Sequence, residues 1–244
     1  MNGTRHKTLI TLLFLLCTGI LFSQSSKKRS GNGNRIHFGP LVGFYRINTH
    51  HAAAPSPKMS ASVGFKREQK IGRDYRTFFL FGFDYFFHGC NFRSYYFAPD
   101  TFKIYDKNFA YNYSLFIHEL DLPLQVKYLF KREDNSLFSP YVVAGYHLRY
   151  LLPARLKVSQ DGNELRSDNP ELKFKTPLIL DQLNAMISLG FGWQKNSLSS
   201  SKGSFFAEIN YRYAFSALYF QTDYSASSLF INSAHLNLQL GFKF

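Results

Sequence analysis

The sequence predicts an all-β protein: an eight-stranded antiparallel transmembrane β-barrel with short periplasmic turns and longer extracellular loops. Three observations carry that expectation. One apolar run near the N-terminus has the order of an export signal. The rest of the chain is rich in aromatics yet low in mean hydropathy. Apolar residues recur at every second position in one segment after another.

The run is Leu9 to Phe22, preceded by Arg5 and Lys7 and followed by Ser23-Gln24, which is the charged, apolar, small-residue order of a secretory signal. Residues 1–23 are therefore expected to be removed, leaving a short polar segment, 24–34, ahead of a barrel over 35–244. No later stretch approaches the roughly 20 apolar residues that a membrane-spanning helix requires, so a helical membrane protein is excluded. Leu15 and Leu16 stand before Cys17 where a lipidation site wants small residues. With Cys17 gone, Cys90 is the one cysteine of the mature chain, and no intramolecular disulfide can form despite export.

Phe 27 and Tyr 16 are high counts beside a mean hydropathy of −0.21. Strands in lipid reconcile the two, because apolar side chains point outward and polar ones into the lumen, averaging out along each segment.

Successive strand side chains point to opposite faces, and eight segments obey that period. Residues 35–47 form the first, with Pro40 interrupting it. In 58–67 the apolar face is Met59, Ala61, Val63 and Phe65. In 79–88 the five odd-numbered aromatics Phe79 to Phe87 face out against Gly82, Asp84 and His88. The clearest strand is 118–130, with Leu120, Leu122, Leu124, Val126, Tyr128 and Phe130 outward and Glu119, Asp121, Gln125 and Lys127 inward. Residues 142–150 alternate Val142, Ala144, Tyr146, Leu148 and Tyr150 with Val143, Gly145, His147 and Arg149. Residues 183–194 set Leu183, Ile187, Leu189, Phe191 and Trp193 against Asn184, Ser188 and Gln194. Residues 205–213 set Phe205, Ile209, Tyr211 and Tyr213 against Glu208, Asn210 and Arg212. The last, 234–244, carries Leu236, Leu238, Leu240, Phe242 and Phe244 outward and His235, Asn237, Gln239 and Lys243 inward.

Eight is an even number, so an antiparallel barrel can close with both termini on one side, and closure is compulsory where no water satisfies an edge. The connectors alternate in length. Residues 68–74, 131–136 and 195–203 are short and polar, 89–112 and 153–180 are long, and 48–57 and 221–230 are intermediate, as short periplasmic turns and longer outer loops demand. Tyr128, Phe130, Tyr150, Trp193, Tyr213 and Phe244 near strand ends suit interfacial aromatic girdles.

The formal charge of +13 falls to +11 once Arg5 and Lys7 leave. An exported chain seldom meets nucleic acid, so the expected counterparts of this basic surface are outer-membrane lipids and lipopolysaccharide, with localisation in the cell outer membrane.

Inside an eight-stranded barrel there is room for side chains alone, and charges removed from water are paired. Asp84, Glu119, Asp121, Lys127, Arg149, Glu208 and Arg212 are therefore the expected lumen charge network. Glu119 and Asp121 lie about 6 to 7 Å apart along one strand face, a spacing that could also serve paired carboxylates in acid–base work. His118 and Ser114, four residues apart on the outward face, could serve a lipid A-modifying enzyme. The zinc motif beginning at His118-Glu119 fails because Leu122 stands where the second histidine belongs. His37, His88, His147 and His235 share no ligand spacing, and Gly190-Phe191-Gly192 lacks the third glycine of a nucleotide fingerprint. No metal, no cofactor and no catalytic set are expected.

Two outer loops could hold function, since exposed connectors on a rigid scaffold commonly bind. One carries Tyr95, Tyr96, Phe97, Phe102, Tyr105 and Phe109; the other, 155–175, mixes basic and acidic residues.

The signal ending in Ser-Gln, the strand Glu119-Leu-Asp-Leu-Pro-Leu-Gln-Val-Lys-Tyr128, the segment Ser139-Pro-Tyr-Val-Val-Ala-Gly-Tyr146 and the closing Leu236-Asn-Leu-Gln-Leu-Gly-Phe-Lys-Phe244 together resemble the Bacteroidota outer-membrane β-barrel proteins grouped as PorT-like. The pattern covers most of the mature chain. The resemblance implies an outer-membrane barrel, some of whose relatives are associated with the type IX secretion and gliding apparatus. It also implies that Phe242 and Phe244 look like the signal read by the barrel assembly machinery. The sequence therefore leads to a non-enzymatic structural or interaction role with a filled lumen, and the resemblance implies secretion-complex proteins as candidate partners. A lipid A-modifying enzyme and a narrow passive pore stand as alternatives.

Overall fold

The computed structural model describes residues 32–47, 55–71, 74, 76–94, 111–131, 137–152, 154–160, 163–164, 171–172, 183–195, 203–215, 217–221 and 228–244. Eight long strands make one closed antiparallel barrel: β1 Gly33–Ile47, β2 Ser60–Ile71, β3 Thr77–Ser94, β4 Tyr111–Leu129, β5 Phe138–Leu151, β6 Leu183–Lys195, β7 Ser204–Ala214 and β8 Ser228–Lys243. Each pairs with its sequence neighbours, and β1 closes the ring on β8 from Arg35 opposite Lys243 to Ile47 opposite Ile231. The expected signal peptide 1–23 and the six aromatics from Tyr95 to Phe109 lie outside the described residues, whereas Gly33 and Asn34 of the expected polar segment belong to β1.

The period-two pattern sets the two faces. Phe38, Leu124, Tyr146, Leu189, Phe205 and Leu238 are exposed on the outside, while Asp84, Gln125, Arg149, Gln194, Glu208 and Asn237 are buried inside. A surface with apolar residues outward and charges inward inverts a soluble fold and matches a lipid solvent. Along β4 the outward residues from Tyr128 to His118 span roughly 25 Å after strand tilt, the height of the apolar band of an outer-membrane barrel.

Pro40 does not interrupt β1. The ladder toward β2 runs through Gly39 and Pro40 opposite Ser62 and Ala61. Toward β8 it steps from Phe38 to Leu41 without a change of register, so the missing N–H of proline is tolerated locally. Gly39 is required there, because a Cβ would stand 1.6 Å from the Leu238 carbonyl oxygen.

Several expected boundaries need correction. Strand β2 continues to Ile71, so Glu68 is no turn residue but points inward and is fully buried. The shortened turn is held by Asp74, whose carboxylate accepts from the Arg76 amide at 3.2 Å. Residues 89–94 and 111–112, expected in a loop, extend β3 and β4 as a continuous ladder to Ser94 opposite Tyr111. Part of the long loop after β5, Ala154–Gln160, pairs with the outer end of β4. Alternation continues through the extensions of β3 and β4, but the inward set becomes apolar. Cys90, Phe92, Tyr113, Leu115, Ile117 and Met186 are buried and cap the outer end of the lumen, with Phe92 stacked on Tyr113 at 5.0 Å.

Candidate functional site

The lumen holds three tiers of charge. At the end where β1 begins and β8 ends, Glu68 collects three cations: Lys243 Nζ donates to Oε1 at 2.7 Å, Lys127 Nζ donates to Oε2 at 2.9 Å, and Arg35 Nη1 stands 3.8 Å away. Arg35 also donates to the Tyr141 hydroxyl at 2.9 Å, and that hydroxyl donates to Glu208 at 3.0 Å. Phe78, Leu80, Leu129 and Tyr141 pack as an apolar cluster beneath them, and the Arg35 guanidinium lies 3.7 Å from the Phe206 ring centre, where a desolvated cation gains from the ring quadrupole.

In the middle tier Asp84 meets Lys66 at 3.3 Å and His37 at 3.2 Å. Here the backbone register explains the contact. His37, Gly64 and Asp84 are aligned across β1, β2 and β3, and a Cβ on Gly64 would fall 2.1 Å from Asp84 Oδ1 and 2.5 Å from the His37 ring. Glycine at the centre lets the flanking pair reach across it. Lys66 then donates to Gln125 at 3.1 Å and Gln125 donates to Ser188 at 3.0 Å.

The upper tier is built on β4. Glu119 faces Arg149 at 3.2 Å, His88 at 3.2 Å, Arg212 at 3.6 Å and His235 at 4.0 Å. Asp121 takes Arg212 at 2.5 Å and His147 at 3.3 Å. Tyr45 and His88 Nδ1 share a hydrogen bond of 2.7 Å, and the Arg212 guanidinium covers the Phe86 ring at 3.5 Å.

All seven charged residues singled out from the sequence are buried. Glu119, Asp121, Arg149 and Arg212 form one group, while Asp84, Lys127 and Glu208 are held by Lys66, Glu68 and Arg35. Those last three, with Lys243 and the four lumen histidines, complete the network. Arg35 and Lys66 share the inward parity of their strands, a signal present in the sequence; Glu68 was hidden by the misplaced end of β2. Among the described residues six buried cations, Arg35, Lys66, Lys127, Arg149, Arg212 and Lys243, face five buried carboxylates, Glu68, Asp84, Glu119, Asp121 and Glu208. The interior is thus close to neutral among the described residues.

His88, Glu119 and His235 could offer three ligand atoms within 4.8 Å of one another. Their donor set does not suit a divalent cation, since Arg149 and Arg212 already bring two positive charges to the same carboxylate, and Arg212 Nη2 lies 3.2 Å from His235 Nδ1. The paired-carboxylate reading of Glu119 and Asp121 meets the same arrangement: both are buried and engaged by guanidinium groups.

On the outer face His118 and Ser114 stand about 13 Å apart along β4. His118 Nδ1 hydrogen-bonds the Tyr85 hydroxyl at 2.6 Å, whereas Ser114 donates to Asn91 at 2.9 Å and accepts from Lys58 Nζ. Each is bound to other partners, and the two are not brought together. At the opposite end Phe242 and Phe244 are exposed, and the Phe244 backbone exchanges two hydrogen bonds of 2.9 Å with Asn34.

No protein-family model and no curated protein sequence matches the chain. Solved structures match its fold. The outer-membrane protein OprG of Pseudomonas aeruginosa is 11% identical with a TM-score of 0.50, covering 87% of this chain and 96% of OprG. Neisserial surface protein A is 14% identical with a TM-score of 0.43, covering 89% of this chain and 100% of that one. The outer membrane protease OmpT of Escherichia coli is 8% identical with a TM-score of 0.43, covering 90% and 99%.

Proposed function

We propose that the chain is an integral outer-membrane barrel that acts as a structural or interaction component, neither catalysing a reaction nor passing solutes. The observation that carries this reading is the filled lumen. Side chains from all eight strands occupy it, and those of every strand but β6 include members of mutually neutralising pairs, from Glu68 and Lys243 at one end to Glu119 and Arg149 near the other. Such pairs hold a barrel rigid from within, and a rigid barrel is a platform for what its outer loops and rim bind. The exposed Phe242 and Phe244 at the end of β8 fit handling by the barrel assembly machinery, and the pattern shared with PorT-like barrels makes secretion or gliding proteins the first partner class to examine.

Co-purification of the tagged full chain from outer membranes in mild detergent, with mass spectrometry of associated proteins, tests the reading. Stoichiometric recovery of secretion or motility components is expected. Recovery of the barrel alone, together with stable conductance of the purified protein in planar bilayers, would replace it with the passive pore.

A further inference from the structure

Two register shifts at the same height flank the β3–β4 pair, one on the β2 side of β3 and one on the far side of β4. In the ladder between β2 and β3, Ala61 is opposite Phe87, but Pro57 is opposite Cys90. Four steps on one strand therefore match three on the other, which is a β-bulge at 58–60. The bulge is closed by hydrogen bonds: Lys58 N donates to Gly89 O at 3.0 Å, and Ser60 Oγ donates to Lys58 O at 2.8 Å. On the other side of β4, Leu151 is opposite Glu119 and Arg155 is opposite Phe116, again one residue extra.

The first bulge reverses a side chain. Ser60, Ser62, Lys66 and Glu68 are even-numbered and buried in the lumen, so an unbroken β2 would turn Lys58 inward as well. Instead Lys58 Nζ lies on the outer surface, donating to Ser114 Oγ and standing 3.2 Å from the Phe116 ring centre. Met59 beside it is 98% exposed. Asn91 and Arg93 of β3 are exposed on the same side, and Asn91 accepts from Ser114. The second bulge sets the Lys157 backbone opposite Ser114, and the Arg155 backbone opposite Glu171.

Ser114 stands four residues beyond His118, about 10 Å above the edge of the apolar band after strand tilt. That is headgroup depth. Immediately below lies an aromatic ledge in which Phe87 is 6.1 Å from Phe116 and 5.0 Å from His118. Cations with hydroxyl and amide groups at headgroup depth, over half-buried aromatic rings and an exposed thioether, complement an anionic phosphate carrying acyl chains.

We propose that the outer face of β2, β3 and β4 binds a phosphate of an outer-leaflet glycolipid of the lipid A type. Lys58 and Arg93 take the charge, Ser114 and Asn91 take the sugar or phosphate oxygens, and Met59, Phe87 and Phe116 take the first methylenes of the acyl chains. The bulge at 58–60 exists to aim Lys58 at that site. The assignment rests on the membrane-embedded reading above, which heat-modifiable migration and insertion into phosphatidylcholine vesicles check separately.

The experiment uses the full chain folded in dodecylmaltoside, with diphosphorylated lipid A as the probe and native mass spectrometry as the readout. Wild type is expected to retain one lipid A. Lys58→Gln and Arg93→Gln should each weaken retention about tenfold with normal heat-modifiable migration, and the double variant should abolish it. Ser114→Ala, which leaves every charge in place, should weaken it a few-fold and serves if a charge variant fails to fold. Retention of dephosphorylated lipid A as tight as that of the diphosphorylated form, unchanged binding in the variants, or equal binding of phosphatidylglycerol would overturn the assignment.

Discussion

Arg212 and Asp121 are separated by 91 residues in sequence and by 2.5 Å inside the barrel. Both are fully buried, and they tie β7 to β4 across the lumen. Removing one member leaves an uncompensated charge, which costs about 3–5 kcal/mol, whereas replacing both with apolar groups of similar volume is often neutral. Arg212→Met and Asp121→Leu should each lower the urea unfolding midpoint sharply, and the double variant should recover a large part of the loss. Simple additivity of the two effects would show that the pair is not coupled.

How much of this was legible follows from what a strand period reports. Parity alone assigns Glu119, Asp121, Arg149 and Arg212 to the interior, because β4, β5 and β7 keep an unbroken alternation over the relevant residues. It cannot say that Glu119 meets His88 and His235, since those histidines arrive from β3 and β8 and their proximity is set by barrel closure. Glu68 escapes the sequence reading because the polar run Glu68-Gln69-Lys70 after the strand 58–67 reads as the start of a turn, and only the ladder with Gln69 opposite Phe79 shows it as strand. The apolar face of Met59, Ala61, Val63 and Phe65 implies an inward Lys58, and the structure turns it outward, because a single inserted residue reverses every side chain beyond it and leaves no compositional mark.

The lipid-facing stripe of β4 supports a second expectation. Leu124 is exposed on the outer face, midway between Tyr128 and His118, at the depth where an arginine on the lipid face costs about 2–4 kcal/mol; near the interface the cost falls to about 0–1 kcal/mol. Folding into phospholipid vesicles should therefore be destabilised far more by Leu124→Arg than by Phe130→Arg. Equal costs would place the membrane boundary elsewhere.

The turn between β2 and β3 lies outside the apolar band and carries a pH dependence of defined sign. The amide of Arg76, with help from Thr77, holds the Asp74 carboxyl below its ordinary value. A carboxyl with a depressed folded-state pKa contributes stability that is present above the unfolded value of about 3.9 and is lost as the pH falls through the folded value. Asp74→Ala should lower the unfolding midpoint at pH 7, and the gap from wild type should close in acid below that range. A gap independent of pH would assign the effect to turn geometry alone.

Glu68 poses the sharpest test of the filled lumen, because three cations depend on one carboxylate. Lys127 and Lys243 donate to its two oxygens and Arg35 stands nearby, so Glu68→Gln preserves shape while leaving three positive charges facing one another. Lys243 lies closest to the barrel mouth and keeps slight solvent contact, 9% for its side chain, so it can turn toward water, but Lys127 is fully buried and cannot. The substitution should cost about 3–5 kcal/mol, read from urea unfolding followed by heat-modifiable migration. Adding Lys127→Met should restore a large part of that stability, whereas adding Lys243→Met should restore less. Rescue in the reverse order would mean that Lys243 is the ion Glu68 holds in place.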